Sequence, residues 1–132
     1  MLSPDRVAFH EAAANGANLI PLAQSWPADL ETPLTAWIKV GADHAPGVLL
    51  ESVEGGETLG RWSVIACDPL WTASARNDCL QRRWRDGREE ILRGNPFDSL
   101  RRCLEPYRCI SLPGLPPLGQ LYGLWGYELI PW

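Results

Sequence analysis

The sequence predicts an α+β fold, in which a mostly antiparallel β-sheet or sandwich is accompanied by about three short helices. Its 132 residues suffice for one hydrophobic core, and a content of 45% hydrophobic and 21% charged residues is typical of globular domains. Twelve glycines and twelve prolines are spread along the chain, which favours short strands and turns over a helical bundle. Seven tryptophans supply large rings that suit a core or a buried interface.

The first helix is predicted close to the N-terminus. Ser3 followed by Pro4 is typical of a helix cap and a first-turn proline, so we expect a helix over 4–15. Residues 18–24 then predict a short strand. Pro21 lacks an N–H group, which places that strand at a sheet edge or a bulge.

Two further helices carry similar signals. Thr32 and Pro33 predict a short helix that ends near Gly41. Asn95 is the expected cap of a third helix over 96–105. The apolar side chains that share one face of this third helix are Phe97, Leu100 and Leu104.

Strand patterns occupy most of the remaining chain. The predicted strands are 47–53, 61–67, 70–76, 79–85, 88–93 and 118–127. Asp86 and Gly87 predict a two-residue type I′ hairpin loop, which would set Arg83 opposite Glu90. Glycines such as Gly119 in the last strand predict close packing.

The charge and the segment pattern exclude several partners. A net charge of −4 gives no overall attraction to nucleic acid. The basic and aromatic run 82–85 is expected to pair with Glu89 and Glu90 on the next strand rather than to bind bases. No apolar run approaches a membrane span, and no signal peptide is visible, so we expect a cytoplasmic protein.

The four cysteines are expected to be free thiols that are buried or half-buried. They show no C-x-x-C spacing, and the two histidines are distant from them in sequence, so the pattern favours neither zinc nor disulfides. No catalytic Ser-His-acid or Cys-His arrangement is visible either. The residues alone therefore indicate a domain that binds or supports.

The strand at 47–53 holds the most informative polar side chain, Glu51. Both faces of this strand are apolar, which predicts burial, and a buried carboxylate has to be paired or hydrogen-bonded. Two alternatives remain open. Glu51 forms a structural ion pair with an arginine such as Arg61, or it binds an ammonium or N–H donor of a ligand beside Ser52.

Five sequence blocks resemble a known family. They are NLIPL at 18–22, DLETP at 29–33, LLESVEGGE at 49–57, GRWS at 60–63 and GLWGYEL at 123–129. In order and spacing they are similar to the N-terminal region of anthranilate synthase component I, and most similar to the cyanobacterial type. The resemblance runs from about residue 7 to the last residue, so 1–132 is expected to form this N-terminal regulatory and scaffolding domain.

The resemblance implies a function for a longer protein. In that family, a lyase converts chorismate to anthranilate and pyruvate with Mg²⁺, using ammonia from a glutamine amidotransferase subunit, component II. The catalytic and Mg²⁺-binding residues belong to a C-terminal chorismate-binding domain that has no counterpart here. We therefore expect no catalytic residue, no metal site and no cofactor in this chain, and no chorismate turnover by it alone.

The resemblance also implies a regulatory site. L-Tryptophan inhibits the family by binding to the LLES strand and the neighbouring block, whose counterparts here are Leu50, Glu51, Ser52, Arg61, Trp62 and Ser63. Trp62 stands where the family usually has Tyr, which puts inhibitor sensitivity in question. The alternatives are the N-terminal part of aminodeoxychorismate synthase component I, in the folate branch, and a stand-alone tryptophan-binding module.

Overall fold

The computed structural model describes residues 2–41, 46–51 and 62–127. Within these ranges the chain forms three helices and three small antiparallel sheets, so the predicted α+β class is confirmed. The helices are α1 (Arg6–Ala14), α2 (Pro33–Lys39) and α3 (Pro96–Leu104). The strands are β1 (Leu2–Ser3), β2 (Ala23–Gln24), β3 (Val48–Leu50), β4 (Val64–Ala66), β5 (Trp71–Arg76), β6 (Cys79–Trp84) and β7 (Glu89–Arg93). None of the helices in these ranges is long and apolar enough to cross a membrane.

Helix α1 is capped by Asp5 rather than by Ser3. The Asp5 carboxylate accepts a hydrogen bond from the backbone N–H of Ala8 at 2.9 Å, which satisfies one of the unpaired donors of the first turn. Ser3 instead lies in β1, which pairs antiparallel with β2. The predicted cap was wrong. Ser and Asp are both common helix caps, and Ser3 is not available for this role because it pairs with β2.

Residues 18–24 form less strand than the sequence predicted. Only Ala23–Gln24 belongs to a sheet, while Leu19 makes a single parallel bridge to Cys109. Pro21 lies between these two contacts. Since proline has no N–H to donate, a continuous ladder does not pass through it on that side.

Asn18 connects the N-terminal segment to the chain that follows α3. Its side-chain Nδ2 donates to the carbonyl oxygen of Pro106 at 2.6 Å, and its Oδ1 accepts from the backbone N–H of Arg108 at 2.7 Å. These hydrogen bonds join residues about 90 positions apart. They hold the Leu19 bridge in place.

Helix α2 begins with the predicted cap. The Thr32 hydroxyl accepts from the backbone N–H of Thr35 at 3.1 Å, and the Thr35 hydroxyl accepts from the N–H of Thr32 at 2.8 Å. This reciprocal capping box, with Pro33 at the first helical position, fixes the start of the helix. Hydrogen bonds from Lys39 and then Thr35 lower the pKa of Glu31. Helix α2 contacts β4.

Strands β5, β6 and β7 form a three-stranded sheet, in that order. The predicted type of the hairpin loop between β6 and β7 was wrong. Arg83 pairs with Glu89 rather than with Glu90. The loop comprises residues 85–87, and among them only Gly87 has a positive φ, of 87°. A type I turn followed by one left-handed glycine closes this hairpin, whereas a type I′ turn would need two such positions.

The core lies between this sheet and α3. Its buried members are Trp71, Leu80 and Cys103, and the partly buried side chains around them are Trp84, Leu92, Leu100, Tyr107 and Leu121. The indole Nε1 of Trp71 donates to the Tyr107 hydroxyl at 3.0 Å, so the polar atom of this ring is satisfied. Every described residue that is buried falls between Trp71 and Leu112.

Helix α3 has the predicted cap, and of its predicted apolar face Leu100 packs against the core. The Asn95 side chain accepts from the first-turn N–H groups. The side chains buried against the sheet are small: Pro96, Ser99 and Cys103. Large rings on the sheet already fill the space there, so small residues allow the helix to approach. Phe97 and Leu104 remain 37% and 39% exposed.

Residues 118–127 do not form the predicted strand. Their side chains have a strand-like apolar pattern, yet Leu124 and Tyr127 are exposed. A strand needs the backbone of a neighbour, and no other described segment pairs with this one. The apolar pattern of 118–127 favours a strand, but residues 2–41, 46–51 and 62–127 provide no neighbouring strand for it to pair with.

Candidate site at the end of the β3–β4 ribbon

The predicted site lies where a short two-stranded ribbon ends. Strand β3 pairs antiparallel with β4, as the sequence predicted, with Leu50 opposite Val64. Continuing this register by one residue sets Glu51 opposite Ser63. Two members of the predicted site, Glu51 and Ser63, therefore directly follow β3 and directly precede β4 at one end of the ribbon.

Strand alternation divides the ribbon into two faces. Leu50 and Val64 form one cross-strand pair, and Leu49 and Ile65 form the next pair on the opposite face. By the same alternation, Glu51 shares the face of Leu49 and Ile65 rather than that of Leu50. A ligand at this end would therefore contact the edge of the ribbon and not one flat face.

The predicted burial of this strand was wrong. Leu50 and Glu51 are both exposed, and Trp62 is 43% exposed. A ribbon of two three-residue strands buries little surface by itself, and helix α2 contacts it at β4. Because Glu51 is exposed, water can solvate its carboxylate, and burial does not require a partner for it within the chain.

Four of the six predicted site residues lie in the described part of the chain. Leu50, Glu51, Trp62 and Ser63 lie at the same end of the ribbon, at the last residue of β3 and just outside the two strands. Ser52 and Arg61 lie outside the described residues, and so does the proposed ion pair between Glu51 and Arg61. Chemically, the visible end offers a carboxylate for an ammonium group, a hydroxyl, and an indole ring for an apolar or aromatic surface.

The basic run on β6 takes part in the sheet and does not form a separate binding site. Arg82 pairs with Glu90 at 2.6 Å, and Arg83 pairs with Glu89 at 2.6 Å. The predicted ion pairing across the hairpin is confirmed, although its register is shifted by one residue. The sequence pattern did not reveal that Arg82 also stacks on the indole ring of Trp84, because that contact depends on the strand twist and rotamer.

The cysteines are free, as predicted, but only two of them have the predicted burial. Cys103 is buried and Cys79 is half-buried, whereas Cys67 and Cys109 are exposed. Within the described ranges, no three His, Cys, Asp or Glu side chains form a group that could hold a metal ion. We therefore assign no metal ligands to this part of the chain.

Together, the α+β fold and the β3–β4 ribbon describe a domain with a small core and exposed residues, Glu51 among them, at one end of a sheet. No protein-family model and no solved structure matches the chain. Curated relatives do match it. Anthranilate synthase component 1 of Synechocystis sp. is 52% identical over 133 residues, which cover 100% of this chain and 26% of that protein.

More distant relatives carry the same name. Anthranilate synthase component 1 of Pseudomonas aeruginosa is 36% identical over 129 residues, covering 96% of this chain and 26% of the relative. The protein of that name from Acetivibrio thermocellus is 33% identical over 118 residues, covering 89% and 24%. The chain is a homologue of the N-terminal region of anthranilate synthase component 1, and it spans about a quarter of the length of these relatives.

Proposed function

We propose that this chain serves as the N-terminal, regulatory and scaffolding region of an anthranilate synthase component 1. In the complete enzyme, chorismate and ammonia from glutamine would yield anthranilate and pyruvate. The observation that carries this proposal is the 52% identity to the Synechocystis protein over the whole chain. The relatives named above all bear the anthranilate synthase name, which favours the tryptophan branch over the folate branch.

The catalytic chemistry in this proposal belongs to other parts of the complete enzyme. A C-terminal chorismate-binding domain would bind chorismate and Mg²⁺, and a glutamine amidotransferase subunit, component II, would supply ammonia in the cytoplasm. The described residues offer no metal-ligand cluster, so no step through Mg²⁺ is assigned to them. The role of this chain would be to support that domain and to bind a regulator.

An exchange protein tests the proposed function. In it, this chain replaces the matching 133 residues of the Synechocystis relative. We expect the exchange protein to form anthranilate from chorismate and ammonia, detected by anthranilate fluorescence, and the 132-residue chain alone to form none. A folded exchange protein without activity, or turnover by the chain alone, would contradict the proposal.

We also propose that L-tryptophan binds at the end of the β3–β4 ribbon that carries Glu51. The site would comprise Leu50, Glu51, Ser52, Arg61, Trp62 and Ser63. The exposed carboxylate of Glu51 is suited to the amino-acid ammonium group, and charge-assisted hydrogen bonds of this type are about twice as strong as neutral ones. Ser63, opposite Glu51 in the continued register, provides a hydroxyl at the same end.

Calorimetry separates this regulatory site from a stand-alone sensor. If tryptophan binds to the 132-residue chain with micromolar affinity, the chain acts as an independent binding module. If it binds only to the exchange protein, the ribbon supplies part of a site that the rest of the enzyme completes. We expect the second result, because the described members of the site are exposed, whereas ligand sites usually bury most of the ligand surface.

A further inference from the structure

Helix α3 presents a partly exposed apolar surface. Phe97, Leu100 and Leu104 follow one another at helical spacing, and they line a shallow cavity of about 450 Å³ along the helix. Arg101 and Glu105 flank this cavity. We call these five residues the α3 groove. It lies beside the small-residue face that packs on the sheet.

One end of the α3 groove is already occupied. The ring of Trp125 stacks on Phe97, with ring centroids 5.9 Å apart and planes inclined by 15°. At the other end, Leu104 stacks with no aromatic ring of the described residues and is 39% exposed. Trp125 shows that an aromatic side chain fits this surface, and Leu104 marks the part that is still open.

The charges beside the groove differ in their pairing. Arg101 pairs with Asp98 at 2.8 Å, whereas Glu105 makes no ion pair within the described residues. An apolar stripe with one unpaired carboxylate beside it suits a segment with an apolar side chain flanked by a basic residue.

We propose that the α3 groove is the docking surface for the polypeptide that follows residue 132 in the longer relatives. Those relatives continue for about three quarters of their length beyond the matched region, so a covalently linked occupant is available to them. The inference rests on the family relationship and not on the tryptophan site.

A second copy of the chain suits the groove less well. Helix α3 has nine residues, and a helix of that length extends over about 13 Å. Stable interfaces between separate proteins bury about 1,600 Å², which a stripe of three side chains cannot supply. A segment on the same polypeptide is held at high effective concentration, so a small apolar contact suffices.

Cysteine labelling in two contexts tests this assignment. Leu104→Cys is introduced into the 132-residue chain and into the exchange protein, and its alkylation rate is followed by tandem mass spectrometry, which separates it from Cys103. We expect alkylation to be at least about tenfold slower in the exchange protein, because docking closes the site to the reagent. The matched control is Ile91→Cys, which lies on the opposite face of the sheet from the core and is 62% exposed. It should react at similar rates in both proteins.

Three results would overturn the proposal. Equal labelling of Leu104→Cys in both proteins means that the groove stays open. Equal protection of Leu104→Cys and Ile91→Cys in the exchange protein means that the added polypeptide shields the chain in general and does not dock at the α3 groove. Protection in the chain alone that disappears on dilution means that a second copy is the occupant.

A second variant covers the possibility that the cysteine disturbs the helix. Leu104→Lys keeps good helix propensity and places a cation near the helix C-terminus, so it should leave the melting temperature of the chain alone nearly unchanged. In the exchange protein it should lower the melting temperature by several degrees, because a charge would enter the docked surface. Equal shifts in the two proteins would contradict the docking.

Discussion

The guanidinium carbon of Arg82 lies 4.0 Å from the ring centroid of Trp84, and the same guanidinium group pairs with Glu90. The Arg82 side chain is only 14% exposed. It therefore fills space on the core face of the sheet with its methylene groups while the charged end is stacked and hydrogen-bonded. This arrangement explains how strand β6, which contains two arginines, contributes to a hydrophobic core.

Arg82→Ala should reduce the free energy of unfolding by about 1–3 kcal/mol, because it removes the stacking and the packing and leaves Glu90 without its partner. Urea unfolding followed by tryptophan fluorescence measures this difference. Arg83→Ala is the control, since Arg83 forms an exposed pair with Glu89. Such pairs contribute about 0.2–1 kcal/mol. If Arg82→Ala and Arg83→Ala reduced the free energy of unfolding equally, the stacking and packing of Arg82 would not contribute beyond its ion pair.

Gly119→Ala should destabilise the chain by about 1–3 kcal/mol, through both a steric clash and an unfavourable φ. A Cβ atom at this position would lie 2.7 Å from Leu19 Cδ2 and 3.1 Å from Cys109 Sγ, and φ is +70°. At Gly114, φ is +77°, but an added Cβ would meet nothing within 4 Å. Gly114→Ala therefore measures the backbone strain alone. In thermal unfolding, Gly119→Ala should have the lower melting temperature, and equal values would argue against close packing at Leu19.

Cys103 should resist alkylation in the native chain while Cys67 and Cys109 react. Cys103 is 2% exposed, and burial raises the pKa of its thiol, so little thiolate is available. Mass spectrometry after a short iodoacetamide pulse gives the order. The test fails if Cys103 reacts as fast as the exposed thiols.

The same shift in pKa has a consequence for stability. The folded chain holds the thiol proton of Cys103 more tightly than the unfolded chain does. This contribution is fully present below the unfolded pKa of about 8.5 and is lost as pH rises through the folded value. Between pH 8 and 10, Cys103→Ala should therefore lose less stability than the unsubstituted chain. Parallel losses would contradict this effect.

Local signals were the most predictable part of the fold. The caps at Thr32 and Asn95 act within four residues, and the structure confirms both. The alternation that marks β5 to β7 is also local. The hairpin register was wrong by one residue because it depends on whether one or two loop positions adopt a positive φ, a choice that Gly87 alone does not specify.

Features that depend on distant parts of the chain were less predictable. The apolar pattern of α3 predicted one face of the helix but did not predict that its small side chains would be the most buried. Small side chains pack there because the large rings of Trp71 and Trp84 take up the space on the sheet. The pattern of 118–127 indicated a strand, yet strand formation requires a partner that the pattern does not name. Glu51 and Ser52 were suggested by the strand pattern and the other site residues by the resemblance, and the structure adds that Leu50, Glu51, Trp62 and Ser63 are exposed.

The most direct test of the regulatory account is the tryptophan sensitivity of the exchange protein after Glu51→Gln. The substitution keeps the size of the side chain and removes the charge that would bind the ammonium group. Glu11→Gln is the matched control, because Glu11 is an exposed carboxylate on α1. For each variant, the activity with tryptophan is divided by the activity without it, so differences in basal rate cancel.

We expect Glu51→Gln to raise the half-inhibitory tryptophan concentration by about tenfold or more, as loss of a charge-assisted hydrogen bond of about 1.5–3 kcal/mol implies. Glu11→Gln should leave that concentration unchanged. If Glu51→Gln and Glu11→Gln give the same inhibition curve, Glu51 does not bind the inhibitor, and the proposed site at the end of the β3–β4 ribbon is wrong.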